Sequence, residues 1–235
     1  MMKKMLWLLI LLVLMLPVAV FADTSELTFY EKTEESKQSS LARLGFTIWP
    51  EDYSDWAIEC FDVREDGMIA LGFNRSQNSK YVAVLDNDGE FQYGSSFRCS
   101  GAFLLDWVEE DLGVLIVRGG LMGVFDETGR CISLWDIRTN TAFSRYQNQL
   151  RQPTRIVDGV TYMLRNDHVL SWLSTDYSQL VRIDMTGNET VLHEASGAAL
   201  AGAACVCIIV ILIGVCLFVQ LQKNDKDRID NPLNS

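Results

Sequence analysis

The feature that most constrains the fold is a turn that recurs three times, each time after a short apolar run. The tetrapeptides at 86–89, 126–129 and 184–187 share the pattern Asp-x-x-Gly. Aspartate opens such turns by bonding its own backbone, and glycine supplies the positive φ that closes them. Each turn therefore predicts a β-hairpin, and the chain repeats this hairpin along its length.

Another pair of short apolar runs precedes each hairpin, so each repeat contains four predicted strands. These pairs cover 57–63 with 67–73, 103–108 with 112–117, and 155–157 with 160–164. A unit of about 40 to 45 residues with four antiparallel strands has the size of a β-propeller blade. The predicted fold is an all-β extracytoplasmic domain of about three four-stranded propeller-like blades, followed by one C-terminal transmembrane helix.

Three units are too few for a closed propeller, which usually has at least four blades. The arc is then open or is completed by other strands. Residues 27–30 and 46–49 are candidate strands in the N-terminal segment, and residues 34–44 are a candidate helix over a sheet edge. A second copy of the chain is the other candidate, because two copies together would supply the missing blades.

Four runs in the first two units share a further pattern of strand and turn residues. The runs are Glu59-Cys60-Phe61-Asp62-Val63, Gly67-Met68-Ile69-Ala70-Leu71-Gly72, Asp86-Asn87-Asp88-Gly89-Glu90-Phe91-Gln92-Tyr93-Gly94 and Val117-Arg118-Gly119. This part of the chain, roughly residues 56–135, resembles uncharacterised exported or membrane-anchored propeller-like proteins of Gram-positive bacteria. The resemblance implies a bacterial cell surface but no activity and no site residues. The unit from Arg155 onward departs from the pattern.

Apolar segments at both ends predict export and membrane attachment. Residues 1–22 have two lysines, an apolar run and a small-x-small ending, which predict a signal peptide, with an uncleaved anchor as the alternative. Residues 195–222 contain no charged residue, and basic residues follow, which predicts a transmembrane helix with residues 223–235 in the cytoplasm. The expected location is the cell membrane, as a single-pass protein with its folded part outside.

Small residues in the outer half of the predicted transmembrane helix favour close approach of two helices. Gly197 and Ala201 lie four residues apart, and so do Ala198 and Gly202. The candidate helix-association residues are therefore Gly197, Ala201 and Gly202, and the partner is a second copy or another membrane protein. The alternative is that alanine and glycine are simply common in such helices.

The charge of the expected extracytoplasmic part excludes one class of partner. Residues 23–56 form an N-terminal segment and residues 57–194 the repeat domain; together they contain 15 Lys plus Arg and 28 Asp plus Glu, so their net charge is 15 − 28 = −13. This charge repels phosphate backbones, so no nucleic-acid partner is expected. Three cysteines are also too few for a disulfide framework, and free thiols are expected.

No residue spacing in the chain is typical of catalysis or of metal binding. The two histidines lack the clustered ligands of a zinc site, and the chain has neither a Gly-x-Ser-x-Gly elbow nor a glycine-rich phosphate loop. Turn chemistry explains Asp86 and Asp88, with a calcium loop as the alternative. We therefore expect no cofactor and no metal.

The most distinctive segment is an insertion between the second and third units, residues 138–155, which is predicted as a long loop. It contains no acidic residue, although the domain around it is strongly acidic. Arginine and tyrosine often anchor protein interfaces. The candidate binding residues are Arg138, Arg145, Tyr146, Arg151 and Arg155; packing of this loop on the protein's own acidic surface is the alternative.

These observations predict a membrane-tethered extracytoplasmic binding module for a surface protein or an envelope polysaccharide. Two other functions stay open. A cell-envelope hydrolase would use two carboxylates about 5 to 9.5 Å apart in a cleft. A structural partner of another membrane protein would act through its transmembrane helix.

Overall fold

The computed structural model describes residues 26–49, 56–166, 176–195 and 209–215. These residues form antiparallel sheets and two helices, together with a short helical stretch at 209–215. In chain order the elements are β1 (Phe29–Glu31), α1 (Glu34–Leu44), β2 (Thr47–Trp49), β3 (Ile58–Val63), β4 (Ile69–Asn74), β5 (Ser79–Leu85), β6 (Phe91–Arg98), β7 (Phe103–Val108), β8 (Asp111–Ile116), β9 (Leu121–Phe125), β10 (Cys131–Ile137), α2 (Thr141–Leu150), β11 (Thr154–Val157), β12 (Val160–Arg165), β13 (Gln179–Ile183) and β14 (Glu189–Glu194).

The strands form three sheets, which we number in chain order. Sheet I has the strand order β2-β6-β5-β4-β3, sheet II has β1-β10-β9-β8-β7, and sheet III has β11-β12-β13-β14. In sheets I and II, a three-residue strand from the N-terminal segment pairs antiparallel with the outer strand: Thr47 lies opposite Ser96, and Phe29 opposite Ile137. Among the described residues, no such strand pairs with β14.

These findings correct the predicted fold class. The chain is all-β in its three sheets, but two of them have five strands rather than four, and each is an open sheet with two edge strands. Within the described parts of the chain, no helix is long and apolar enough to cross a membrane. The predicted fold of about three four-stranded propeller-like blades is therefore wrong.

Several predictions from the ends of the chain fall on residues that the structure does not describe. They include the signal peptide over residues 1–22 and the helix-association residues Gly197, Ala201 and Gly202. Of the predicted membrane segment 195–222, the structure describes residue 195 and the helical stretch 209–215.

Sheet I lies between the other two sheets, so both of its faces are buried. One hydrophobic cluster joins Ala70 and Val82 of sheet I to Leu115 of sheet II. A second cluster joins Leu71 of sheet I to Leu180 of sheet III. Because neighbouring residues of a strand point to opposite faces, β4 and β5 need apolar side chains at nearly every position, and their sequences have them.

The three Asp-x-x-Gly turns close β-hairpins, which confirms this part of the sequence analysis. In the third turn, the Asp184 carboxylate accepts hydrogen bonds from the backbone N–H groups of Thr186 (2.8 Å) and Asn188 (2.9 Å). Asp86 and Asp126 accept the equivalent bonds in their turns. These carboxylates are thus explained by turn formation.

The insertion predicted as a long loop contains a helix, α2, and this prediction is corrected. The Asn140 side chain caps the helix by accepting a 2.9 Å hydrogen bond from the N–H of Phe143. Phe143 and Leu150 are buried and Tyr146 is half-buried, so one face of the helix is apolar. Pro153 follows shortly after the helix ends, as expected of a residue that cannot continue it.

Candidate functional site

Helix α2 separates the five predicted binding residues into two groups. Tyr146 and Arg155 are only partly accessible and contact the sheets, whereas the other three arginines are exposed. The predicted set is therefore not one contact surface. The inward group fixes the position of the helix.

Arg155 joins the end of α2 to sheet I. Its Nε lies 2.7 Å from Oδ1 of Asp62 on β3, and the two side chains are only 16% and 11% exposed. Its Nη2 donates a 2.9 Å hydrogen bond to the carbonyl of Leu150, at the last turn of the helix. The guanidinium also lies over the ring of Phe61, 5.1 Å from its centroid. Arg155 thus has a structural role in this fold, and its role as a binding residue stays a prediction.

Both carboxylate oxygens of Asp62 accept hydrogen bonds. Oδ1 accepts from Arg155, and Oδ2 accepts a 2.9 Å hydrogen bond from the backbone N–H of Trp107 on β7. Sheets I and II and the segment after α2 therefore meet at one carboxylate. Because this charge is nearly buried, it needs both partners.

Tyr146 joins the middle of α2 to sheet II. Its hydroxyl donates a hydrogen bond to Oδ2 of Asp106 on β7. Burial raises the pKa of Asp106 to about 6, with the nearby Asp62 charge adding to the rise and the Tyr146 hydrogen bond opposing it. Burial and the adjacent Asp106 charge likewise raise the pKa of Tyr146. The Tyr146 hydroxyl is therefore directed into the protein and not toward a ligand.

Arg138, Arg145 and Arg151 are exposed, and they lie before, within and directly after α2. The helical residues beside them on the exposed face are uncharged polar residues such as Ser144 and Asn148. At a rise of about 1.5 Å per residue, the ten residues of α2 extend over roughly 15 Å. We call Arg138, Arg145 and Arg151 the α2 basic face.

A cavity of about 600 Å³ has Asp62 and Trp107 in its wall and is mainly acidic, because Glu65, Glu109 and Glu110 also line it. Its basic residue, Arg64, pairs with Asp66 at 2.7 Å and lies over the Trp107 ring, 4.8 Å from its centroid. The described residues include no group of three or more His, Cys, Asp or Glu placed to hold a metal ion. The cavity therefore has an internal counter-ion but no recognisable ligand chemistry.

A second cavity, of about 430 Å³, has the carboxylates Glu59 and Asp176 in its wall. Burial raises the pKa of Glu59, whereas Lys80, whose Nζ lies 3.5 Å from Oε2 of Glu59, opposes the rise. The Lys80 side chain is 3% exposed and also donates a 3.0 Å hydrogen bond to Asn74. Glu59 is thus the counter-ion that permits burial of Lys80.

The sequence analysis missed Asp62 and Asp106, the two carboxylates that position α2. Each is an acidic residue within a strand whose neighbours are apolar, which is a signal that a buried partner exists. Their partners, Arg155 and Tyr146, are 93 and 40 residues away in the chain, so no local pattern identifies them. The helix itself had a readable signal in the Asn140 cap and the spacing of its apolar residues.

No protein-family model matches this chain, and comparisons with curated proteins and with solved structures gave no significant match either.

Proposed function

We propose that the chain is a binding module that recognises an acidic protein surface through the α2 basic face. One observation carries the proposal: a helix held against the sheets carries the exposed Arg145 and is flanked by the exposed Arg138 and Arg151, in a chain of net charge −11. The segment from Ile137 to Val157 has no acidic residue. This face is therefore a basic region on an acidic molecule.

A basic region on an acidic molecule determines the orientation in which an acidic partner approaches. Most of the chain repels an acidic partner, whereas the α2 basic face attracts it, so that encounters are favoured in one orientation. Arginine suits this role because its planar guanidinium forms paired hydrogen bonds with a carboxylate. The inner contacts of Tyr146 and Arg155 hold the helix in place, which lowers the entropy lost on binding.

The arrangement of aromatic residues on α2 favours a protein partner over a polysaccharide. Sugar-binding sites commonly use an accessible aromatic ring as a stacking platform. In α2, Phe143 is buried and Tyr146 packs edge-on against Phe29, with ring centroids 6.4 Å apart. The exposed helical face thus offers arginine and small polar side chains, which suit carboxylates.

The contacts of the buried carboxylates do not support the envelope-hydrolase alternative. Asp62 has both oxygens in hydrogen bonds to other parts of the fold, and Asp106 accepts from Tyr146. Glu59 and Asp176 share a cavity wall, but Glu59 is paired with Lys80. These roles in the fold account for the unusual environments of the carboxylates without a reaction.

Charge reversal on two matched surfaces tests the proposal. One variant changes Arg138, Arg145 and Arg151 to glutamate, and the control changes Arg43, Arg118 and Arg130, which are also exposed, in the same way. Wild type and both variants are used to capture proteins from an extract of the cells that make the chain. We expect at least one acidic protein to be retained by wild type and control but lost by the α2 variant.

Two results would contradict the proposal. Equal retention of every captured protein by the two variants would show that the α2 basic face is not the contact. The other result is that the wild type captures an anionic polysaccharide, identified by its resistance to protease, that the α2 variant does not capture. The α2 basic face would then be the contact, but its partner would be a polysaccharide and not a protein.

A further inference from the structure

Among the described residues, sheet III differs from sheets I and II at its outer edge, because no added strand covers it. In sheets I and II, the outer strands β6 and β10 are each covered by a three-residue antiparallel strand. In sheet III, no described residue pairs with the outer side of β14. The outer edges of sheets I and II thus show that this fold accepts a short antiparallel strand at that position.

The hairpin turns show the same difference. A Cβ on Gly129 of sheet II would lie 2.8 Å from Ile48, on the strand added to sheet I, and one on Gly89 of sheet I would lie 3.0 Å from the carbonyl oxygen of Leu192 in sheet III. A Cβ on Gly187, in the turn of sheet III, would meet no atom of the described residues within 4 Å. The outer side of sheet III also exposes Met185 (74%) and Val191 (46%). Sheet III is therefore the open end of the packing.

The hydrogen-bond pattern identifies which backbone groups of β14 point outward. Asp184 donates to the carbonyl of Asn188 at 3.0 Å, and Ala195 donates to the carbonyl of Ser178 at 2.8 Å. Bonded and non-bonded pairs alternate along an antiparallel ladder, so the N–H groups of Val191 and Glu194 point away from β13. These are the donors that an added strand would use.

We infer that the outer edge of β14 is a strand-addition site for an extended, lysine- or arginine-containing peptide segment of a partner protein. Main-chain pairing would supply affinity, as it does when an extended peptide adds to a free sheet edge. The positive side chains are inferred from the exposed Glu189 and Glu194, which bracket the edge, because opposite charges are favourable across neighbouring strands. Within the described residues, Glu194 accepts a 3.0 Å hydrogen bond only from the uncharged Gln179 amide, and Glu189, which pairs with Arg165 at 2.9 Å, is 49% exposed on its side chain. Full-length pairing with β14 of a second copy would instead place Glu189 opposite Glu194. The inference is independent of the α2 basic face.

The test uses the full chain and a dye-labelled synthetic peptide, Lys-Ser-Thr-Ile-Trp-Ser-Lys, which contains the three residues of β2 between lysines. Binding is followed by fluorescence anisotropy. Val191→Pro removes an outward N–H, and Val191→Ala is the matched control that keeps it. We expect Val191→Pro to weaken binding by at least about tenfold and Val191→Ala by no more than about twofold.

Two further peptides make the result independent of how well the proline variant folds. A version with glutamate in place of both lysines should bind at least about tenfold more weakly, because its charges face Glu189 and Glu194. A version with N-methyl groups on alternate residues should also lose binding to the wild-type chain. Thermal unfolding checks that the Val191 variants are folded.

Several outcomes would overturn the inference. One is that the lysine peptide does not bind at millimolar concentration, or that all three peptides bind equally well. Another is that Val191→Pro and Val191→Ala change the affinity for the lysine peptide by the same factor. If the chain forms a dimer that Val191→Pro dissociates, the occupant of the edge is a second copy of the chain and not a partner protein. Slow deuterium exchange at the Val191 amide of the chain alone would show that the chain already covers this edge with its own residues.

Discussion

At the scale of single residues, helix α2 is fixed to the sheets by two side chains that its sequence alone suggests for binding. Tyr146 and Arg155 belong to the types that anchor interfaces, but in this fold they anchor the helix. Their partners are carboxylates inside the strands of sheets I and II. The consequence is that stability depends on pH at this point.

The first prediction concerns Tyr146→Phe. The pKa of Asp106 is raised to about 6, so between about pH 4 and pH 6 the folded state binds more protons than the unfolded state, and stability falls as pH rises. Above this range Asp106 is ionised and the Tyr146 hydroxyl donates to a charge, a bond worth about 1.5 to 3 kcal/mol. We therefore expect Tyr146→Phe to lower the free energy of unfolding by about 2 kcal/mol at pH 8 and by less than half of that at pH 5.

Urea unfolding at the two pH values measures this difference. Tyr30→Phe is the control, because the Tyr30 side chain is 54% exposed, and it should change stability by less than about 0.5 kcal/mol at either pH. An equal cost of Tyr146→Phe at pH 5 and pH 8 would mean that the hydrogen bond to ionised Asp106 contributes nothing.

The second prediction concerns the ion pair between Arg155 and Asp62. Arg155→Met leaves the Asp62 charge nearly buried with one partner, and we expect a loss of about 3 to 5 kcal/mol of unfolding free energy. Adding Asp62→Asn should recover part of that loss, with a coupling of about 1 kcal/mol or more in the double-mutant cycle. Strictly additive losses in urea unfolding would show that the two side chains do not stabilise each other.

At the scale of elements, the packing of one sheet on the next depends on its hairpin turns. The turn of sheet I contacts sheet III both at Gly89 and through Arg182, which donates a hydrogen bond to the carbonyl of Asn87 and lies 3.3 Å from Asp88. The turn of sheet III has the same backbone form, but within the described part of the chain no atom lies within 4 Å of the Cβ position of Gly187. Gly89 and Gly187 therefore have similar backbone angles but differ in whether an added Cβ would contact another sheet.

The third prediction compares Gly89→Ala with Gly187→Ala. Both glycines have left-handed φ values, +89° and +87°, so each alanine costs about 1 to 2 kcal/mol of backbone strain. Gly89→Ala should cost about 1 kcal/mol more, because its Cβ meets the Leu192 carbonyl oxygen. Urea midpoints of the two variants measure this difference, and equal losses would show that the turn does not pack on sheet III.

The sequence allowed the hairpins to be predicted, but not their assembly. The Asp-x-x-Gly turns and the alternating apolar runs are local, so the three hairpins and the order of their strands were readable. The added strands β1 and β2 are only three residues long, and their pairing with β10 and β6 depends on contacts about 50 to 100 residues away. The wrong strand count in sheets I and II follows from this difference.

The candidate site shows the same limit. The exposed position of Arg145 follows from a helix whose signals lie within a dozen residues, beginning with the Asn140 cap, and Arg138 and Arg151 flank that helix. The inward positions of Tyr146 and Arg155 follow from carboxylates on distant strands. Local patterns therefore indicate which residues are exposed, but not which of them have partners in the fold.

At the scale of the whole molecule, a central sheet with two buried faces lies between two outer sheets, and the three sheets contain most of the described apolar residues. The chain is acidic as a whole, and the α2 basic face adds three exposed arginines to a segment without acidic residues. An extracytoplasmic location, a resemblance to exported proteins of Gram-positive bacteria and a homodimeric state stay predictions from the sequence. The central claim concerns the α2 basic face.

The most direct test of that claim is the dissociation constant between the full chain and an acidic protein that it captures, measured at 50 and 300 mM salt for wild type and both triple-glutamate variants. Reversal of Arg138, Arg145 and Arg151 should weaken binding by at least about a hundredfold at low salt, and reversal of Arg43, Arg118 and Arg130 by less than about tenfold. Higher salt should weaken the wild-type complex and reduce the difference in dissociation constant between wild type and the variant at Arg138, Arg145 and Arg151. Equal weakening by the two variants, or wild-type affinity in the α2 variant, would contradict the claim.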